Sequence, residues 1–72
     1  MNTIAIKNLP IELVKLVKFI GAAESGGQAK QIVKEGAVSV NGSVVTQKSF
    51  KVHDGDTVAV SGQELKITAE AN

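Results

Sequence analysis

Apolar positions along the chain change their period twice, from alternating to helical and back to alternating. Residues 3–7, Thr3-Ile4-Ala5-Ile6-Lys7, alternate and are partly β-branched, which predicts a short strand. After the break at Asn8-Leu9-Pro10, the residues Leu9, Leu13, Leu16, Val17 and Ile20 recur at helical spacing. They predict a helix over about 10–20, with Pro10 at its first position, where a missing N–H is harmless, and Gly21 at its end. Ala29, Ile32 and Val33 form the inward stripe of a second helix over about 26–35. Beyond it the pattern alternates again, and strands are expected at 37–40, 43–46, 57–61 and 64–68, with a short strand or extended connector at 49–52.

The punctuation between these segments supports the same boundaries. Ser25 suits the N-cap of the second helix, and Gln28 stands three residues later, placed to reach back to the Ser25 N–H in a capping box. Gly36 can take the left-handed conformation that closes a helix. Asn41-Gly42 suits the two central positions of a type I′ hairpin turn. His53-Asp54-Gly55-Asp56 and Gly62-Gln63 are further turns, and residues 69–72 are expected to fray. Two short helices joined by a brief connection, followed by short strands, predict an α+β fold in a single domain spanning 1–72.

Composition narrows the means of stabilisation more than it narrows function. A chain of 72 residues supports one modest core and buries only about 60% of the surface its unfolded form exposes. There is no cysteine for a disulfide or a thiolate metal site, and Phe19 and Phe50 are the only aromatics, so the core must be aliphatic. Eight lysines stand against seven carboxylates for a net charge of +1, with no arginine, so bulk charge alone does not direct the chain to nucleic acid. No apolar run is long enough for a membrane span, and the start lacks the pattern of a secretory signal, so a cytoplasmic protein is expected.

Candidate chemistry gathers around the second helix. Its N-terminus offers unpaired N–H groups and the positive end of the helix dipole, which favour a phosphate. Gly26 and Gly27 would let a phosphate-bearing backbone approach without a Cβ clash. Lys30 and Lys34 share one flank of that helix, while Lys15 and Lys18 lie on the first helix, off the centre of its stripe. Lys48 and Lys51 follow the hairpin. His53 with Asp54 and Asp56 lacks the ligand number and spacing of a zinc or calcium site, so no metal is expected. No nucleophile, metalloprotease or phosphate-loop motif is present, and neither a catalytic residue nor a cofactor is expected.

Taken together, Gly21, Ser25-x-x-Gln28-Ala29-Lys30, Gly36-x-Val38-x-Val40-Asn41-Gly42 and Gly55-Asp56-x-Val58-x-Val60 resemble the S-four RNA-binding domain, also called the αL motif. The match covers about 10–60 and is most similar to the small stand-alone, YbcJ-like members. The resemblance implies two short helices packed on a small β-sheet with an Asn-Gly hairpin. It implies a non-catalytic, monomeric protein that binds structured RNA, ribosomal or transfer RNA, the ribosome included. The RNA site so implied comprises Lys15, Lys18, Ser25, Gly26, Gly27, Gln28, Lys30, Lys34, Asn41, Lys48 and Lys51. Two phenylalanines are too few for a row of stacked bases, which argues against single-stranded RNA. Gly26 stands where many members carry arginine, and Ile11 and Glu12 stand where many carry basic residues. Those departures and the near-neutral charge favour the alternative, a protein-interaction adaptor of the same fold with weak RNA affinity.

Overall fold

Two helices cover one face of a five-stranded sheet in the computed structural model, which describes residues 2–60 and 62–70. Strand β1 (Asn2–Ile6) precedes a two-residue strand β2 (Ile11–Glu12), helix α1 (Leu13–Phe19) and helix α2 (Gly26–Lys34). Strands β3 (Val38–Val40), β4 (Ser43–Val44), β5 (Lys51–Val52), β6 (Thr57–Val60) and β7 (Gln63–Ala69) follow. The main sheet has the order β1-β7-β6-β3-β4, and β2 pairs with β5 alone. The first and last strands run parallel, with Ile4 opposite Ile67, while the other pairs are antiparallel. The α+β class and the helix pair stand as expected.

Alternation places Val38 and Val40, Val58 and Val60, Leu65 and Ile67, and Ile6 on the covered face. Leu13, Leu16 and Val17 of α1 and Ala29 and Val33 of α2 pack onto them, all fully buried. Among the described residues every buried side chain is aliphatic, which agrees with the composition. Ile20 and Ile32, expected in the core, are half-buried at its margin.

The first helix begins three residues later than its stripe predicts. Leu9-Pro10 is a cis peptide, and Ile11 and Glu12 are extended and pair with Val52 and Lys51. The N–H of Leu13 then donates to the Phe50 carbonyl at 2.8 Å and that of Val14 to the Lys48 carbonyl at 3.3 Å. Glu12 at the N-cap makes no side-chain cap bond. Two amides a helix start leaves unpaired are thus satisfied by residues 48–50, a tertiary partner that no local pattern announces.

Both helices end as expected on a glycine with positive φ. At the second, the Gly36 N–H donates to the Val33 carbonyl and the Ala37 N–H to the Ile32 carbonyl, the paired bonds of a Schellman motif. The C-terminal fraying expected from residue 69 is corrected for Ala69 and Glu70. Ala69 is opposite Ile6 in the ladder, its N–H donates to Asp54 Oδ1, and the Glu70 N–H donates to the Ile6 carbonyl at 3.0 Å. Residues 71 and 72, and Ser61 at the end of the expected 57–61 strand, lie outside the described residues.

Candidate nucleic-acid interface

Helix α2 starts from a capped corner. The Gln28 N–H donates to Ser25 Oγ at 3.2 Å, as the N-cap reading requires. Gln28 does reach back, but its Oε1 accepts from the Glu24 N–H at 2.7 Å, one residue earlier than the capping box predicts. Ser25 itself is extended, with φ −145° and ψ 164°, so the chain approaches the helix stretched out and Glu24 comes within reach of the amide. Ser25 and Gln28 therefore hold the corner.

Gly26 and Gly27 have no such structural duty. Neither has a positive φ, and a Cβ added at Gly26 meets nothing within 4 Å, while one at Gly27 comes no closer than 4.0 Å to Ser25 Oγ. Glycine in a helix costs stability relative to alanine, about 0.8–1.0 kcal/mol at an interior position. The fold would accept alanine at both places, so what the glycines leave is open space in front of a helix N-terminus.

That space joins a groove of about 440 Å³ lined by Gly27, Lys30, Gln31, Lys34, Thr46 and Lys48. Three lysines line it and no carboxylate does. Lys30 and Lys34 come from one flank of α2, as their spacing predicts, and Lys48 comes from the segment that leaves the hairpin. Its carbonyl takes the Val14 N–H, which fixes this segment to the start of α1. The groove combines flexible cations with backbone amides at its head, a combination suited to phosphate oxygens.

The other candidate residues lie elsewhere. Lys15 and Lys51 sit on either side of Glu12, at 3.7 and 3.8 Å, in a different hollow between α1 and β1. Lys18, exposed in the last turn of α1, lines neither hollow. Asn41 is occupied: its Nδ2 donates to Asp56 Oδ1 at 3.1 Å and its Oδ1 accepts from the Thr57 N–H at 3.0 Å. Asn41 and Gly42 both have positive φ, as a type I′ turn requires. The second oxygen of Asp56 accepts from the His53 N–H at 2.8 Å, so the turn at 53–56 and the hairpin tip are tied by one carboxylate. Among the described residues no cluster of three potential metal ligands occurs.

Thr46 and Gln31 line the groove although sequence reasoning passed over them. Gln31 stands three residues before Lys34 on α2, and its place was deducible from the helix wheel. Thr46 lies just beyond β4, which ends at Val44, two residues sooner than the alternation predicts, although the Val45 N–H still donates to the Val38 carbonyl at 3.0 Å.

Comparison with known proteins bears on the family to which the chain belongs. The family model described as the S4 domain matches residues 4–68, a wider span than the motif residues alone, and takes in the last three residues of β1 and most of β7. The chain is 40% identical over 70 residues to YbcJ of Escherichia coli (strain K12), covering 96% of this chain and all of that protein. The solution structure of E. coli YbcJ, described as revealing an αL motif involved in RNA binding, superimposes with a TM-score of 0.71 over 96% of this chain and 89% of that one. The chain is also 41% identical over 58 residues to ribosomal large subunit pseudouridine synthase B of Bacillus subtilis (strain 168), covering 81% of this chain but 22% of the enzyme. Small ribosomal subunit protein uS4A of Symbiobacterium thermophilum is 39% identical over 69 residues, 93% of this chain and 33% of that protein.

Proposed function

The chain belongs to the S4-domain family, and from that premise we propose that it is a non-catalytic, cytoplasmic RNA-binding protein that holds structured RNA of the ribosomal or transfer class. The observation that carries this reading is the groove of Lys30, Lys34 and Lys48, free of carboxylates in its lining and headed by the open N-terminus of α2. RNA phosphates lie along the groove, the lysines supply charge, and the Gly26 and Gly27 amides supply donors at its head. Ser25 and Gln28 act through the corner they hold. The rigid helix pair selects the shape of a folded RNA, since no row of aromatics is available to splay out a single strand. The protein acts as a monomer.

The similarity to parts of a pseudouridine synthase and of a ribosomal protein supports the same division of labour. Only about a fifth of the enzyme and a third of the ribosomal protein are matched, so the shared piece is a unit those larger proteins carry beside other parts.

Titration of a labelled stem-loop RNA at several salt concentrations tests the proposal. Three to five engaged phosphates predict a slope of log K against log salt of roughly −2 to −4. A flat response would instead favour the adaptor reading, for which the near-neutral charge of +1 and Gly26 in the place of arginine speak.

A further inference from the structure

Phe19, one of two aromatic residues in the chain, is 61% exposed at the end of α1. It stands one helical turn after Lys15, so the two side chains share a face. Together they border a second open hollow of about 660 Å³ between α1 and β1, to which Pro10 and Ile11 add apolar surface and Lys7 and Lys51 add cations. Glu12 and Glu70 also line it, but Glu12 is shared between Lys15 and Lys51, and cations outnumber carboxylates three to two. An exposed aromatic face among lysines matches the two halves of a nucleotide, a base that stacks and a phosphate that needs charge.

The two hollows are joined by one segment. Thr46 and Lys48 line the α2 groove and Lys51 lines the hollow at Phe19. Three residues span at most about 10 Å even when fully extended. Between them the Phe50 and Lys48 carbonyls are pinned to the first amides of α1, so the positions of the two hollows are fixed relative to each other. Lys48 and Lys51 thus bring one border residue of each hollow within about 10 Å of the other.

We propose that Phe19 is a stacking platform for a single unpaired nucleotide, bulged or flipped out of the RNA whose paired region lies against α2. The proposal rests on the RNA reading above and gives that RNA a feature: a helical region interrupted next to the bound backbone. One platform serves one base, so structured RNA remains the ligand class.

The test uses the full chain and two stem-loop RNAs that differ only by one bulged nucleotide in the stem. The unmodified protein should bind the bulged RNA more tightly, by roughly five- to a hundredfold, the range of a base stacked on an aromatic side chain. Phe19→Ala should bring the two affinities together while leaving the fully paired RNA bound as before. Because Phe19 is exposed, circular dichroism should show the fold intact. Phe19→Trp should keep the preference, and the new indole, the chain's only one, should lose emission when the bulged RNA binds. Lys30→Ala with Lys34→Ala should instead weaken both RNAs alike. Retention of the preference by Phe19→Ala, or no preference in the unmodified protein, would overturn the platform and leave Phe19 to a protein contact, with the α2 reading intact. Failure to bind either RNA would remove both.

Discussion

Replacing Gly26 and Gly27 by alanine should make the protein more stable and a poorer RNA binder, and the opposite signs are the point. Both residues have ordinary helical φ and room for a methyl group, so the substitution carries no steric penalty within the chain. Alanine restricts the unfolded chain, which contributes about 0.4–1 kcal/mol per position where the native backbone is compatible. The pair should therefore gain about 1–2 kcal/mol, which for a domain of this size raises the thermal midpoint by about 4–8 °C per kcal/mol. If a phosphate rests on the Gly26 and Gly27 amides, each added methyl holds it away. Loss of one hydrogen bond to a charged group, about 1.5–3 kcal/mol, lowers affinity roughly ten- to a hundredfold. Thermal melts and fluorescence-anisotropy titration with a stem-loop RNA read the two effects separately. A variant that is stabilised and binds unchanged would refute the phosphate at the helix N-terminus. A destabilised variant would refute the premise that the fold has no use for these glycines.

Ser25→Ala removes the acceptor of the Gln28 N–H and should cost about 1 kcal/mol, read as a lower denaturant midpoint; an unchanged midpoint would mean that the 3.2 Å bond contributes nothing. Asn41→Gly keeps the left-handed turn but loses the bonds to Asp56 and Thr57, for about 1–3 kcal/mol. Asn41→Ala should be worse by about a further 1–2 kcal/mol, because a Cβ residue is then forced to a φ of 52°. Equal midpoints for the two variants would show that the side-chain bonds alone matter there. Lys30→Ala with Lys34→Ala should weaken RNA binding and flatten the salt slope by about one or two units, whereas Lys66→Ala, on the exposed side of β7, should change it much less. Equal losses from the two would reduce the interaction to nonspecific charge attraction.

The sequence features that proved legible are those whose physics is local. The core stripes of both helices apart from Leu9, Ile20 and Ile32, the Ser25 cap, the two glycine C-termini and the Asn41-Gly42 turn each involve residues within a few positions of one another, and each is in the structure. What was not legible depends on a distant partner. Ile11 and Glu12 carry no mark that Lys51 and Val52 will draw them out of the helix, and Ala69 carries none that Ile6 will hold it. The same distinction divides the candidate site: Lys30 and Lys34 could be grouped by helical spacing, but Lys48 reaches them only because its carbonyl is anchored on Val14.

The residues at the α2 corner, the hairpin and the groove fall into two physical kinds. Gly36 closes α2 at a φ of 80°, while Asn41 and Asp56 bind each other across 15 positions and tie the hairpin tip to the turn before β6. These account for themselves by folding, and their presence carries no information about a ligand. Gly26 and Gly27 are the reverse case, residues that cost the helix stability and satisfy nothing within it. Lys30, Lys34 and Lys48 line one groove without a carboxylate in its lining, although the chain as a whole is nearly neutral. A surface that concentrates positive charge beside an N-terminus kept bare of side chains departs from what stability alone would select, and this supports the proposed phosphate site. The αL fold is therefore the scaffold, and the case for RNA stands on the few residues in it that the scaffold does not need.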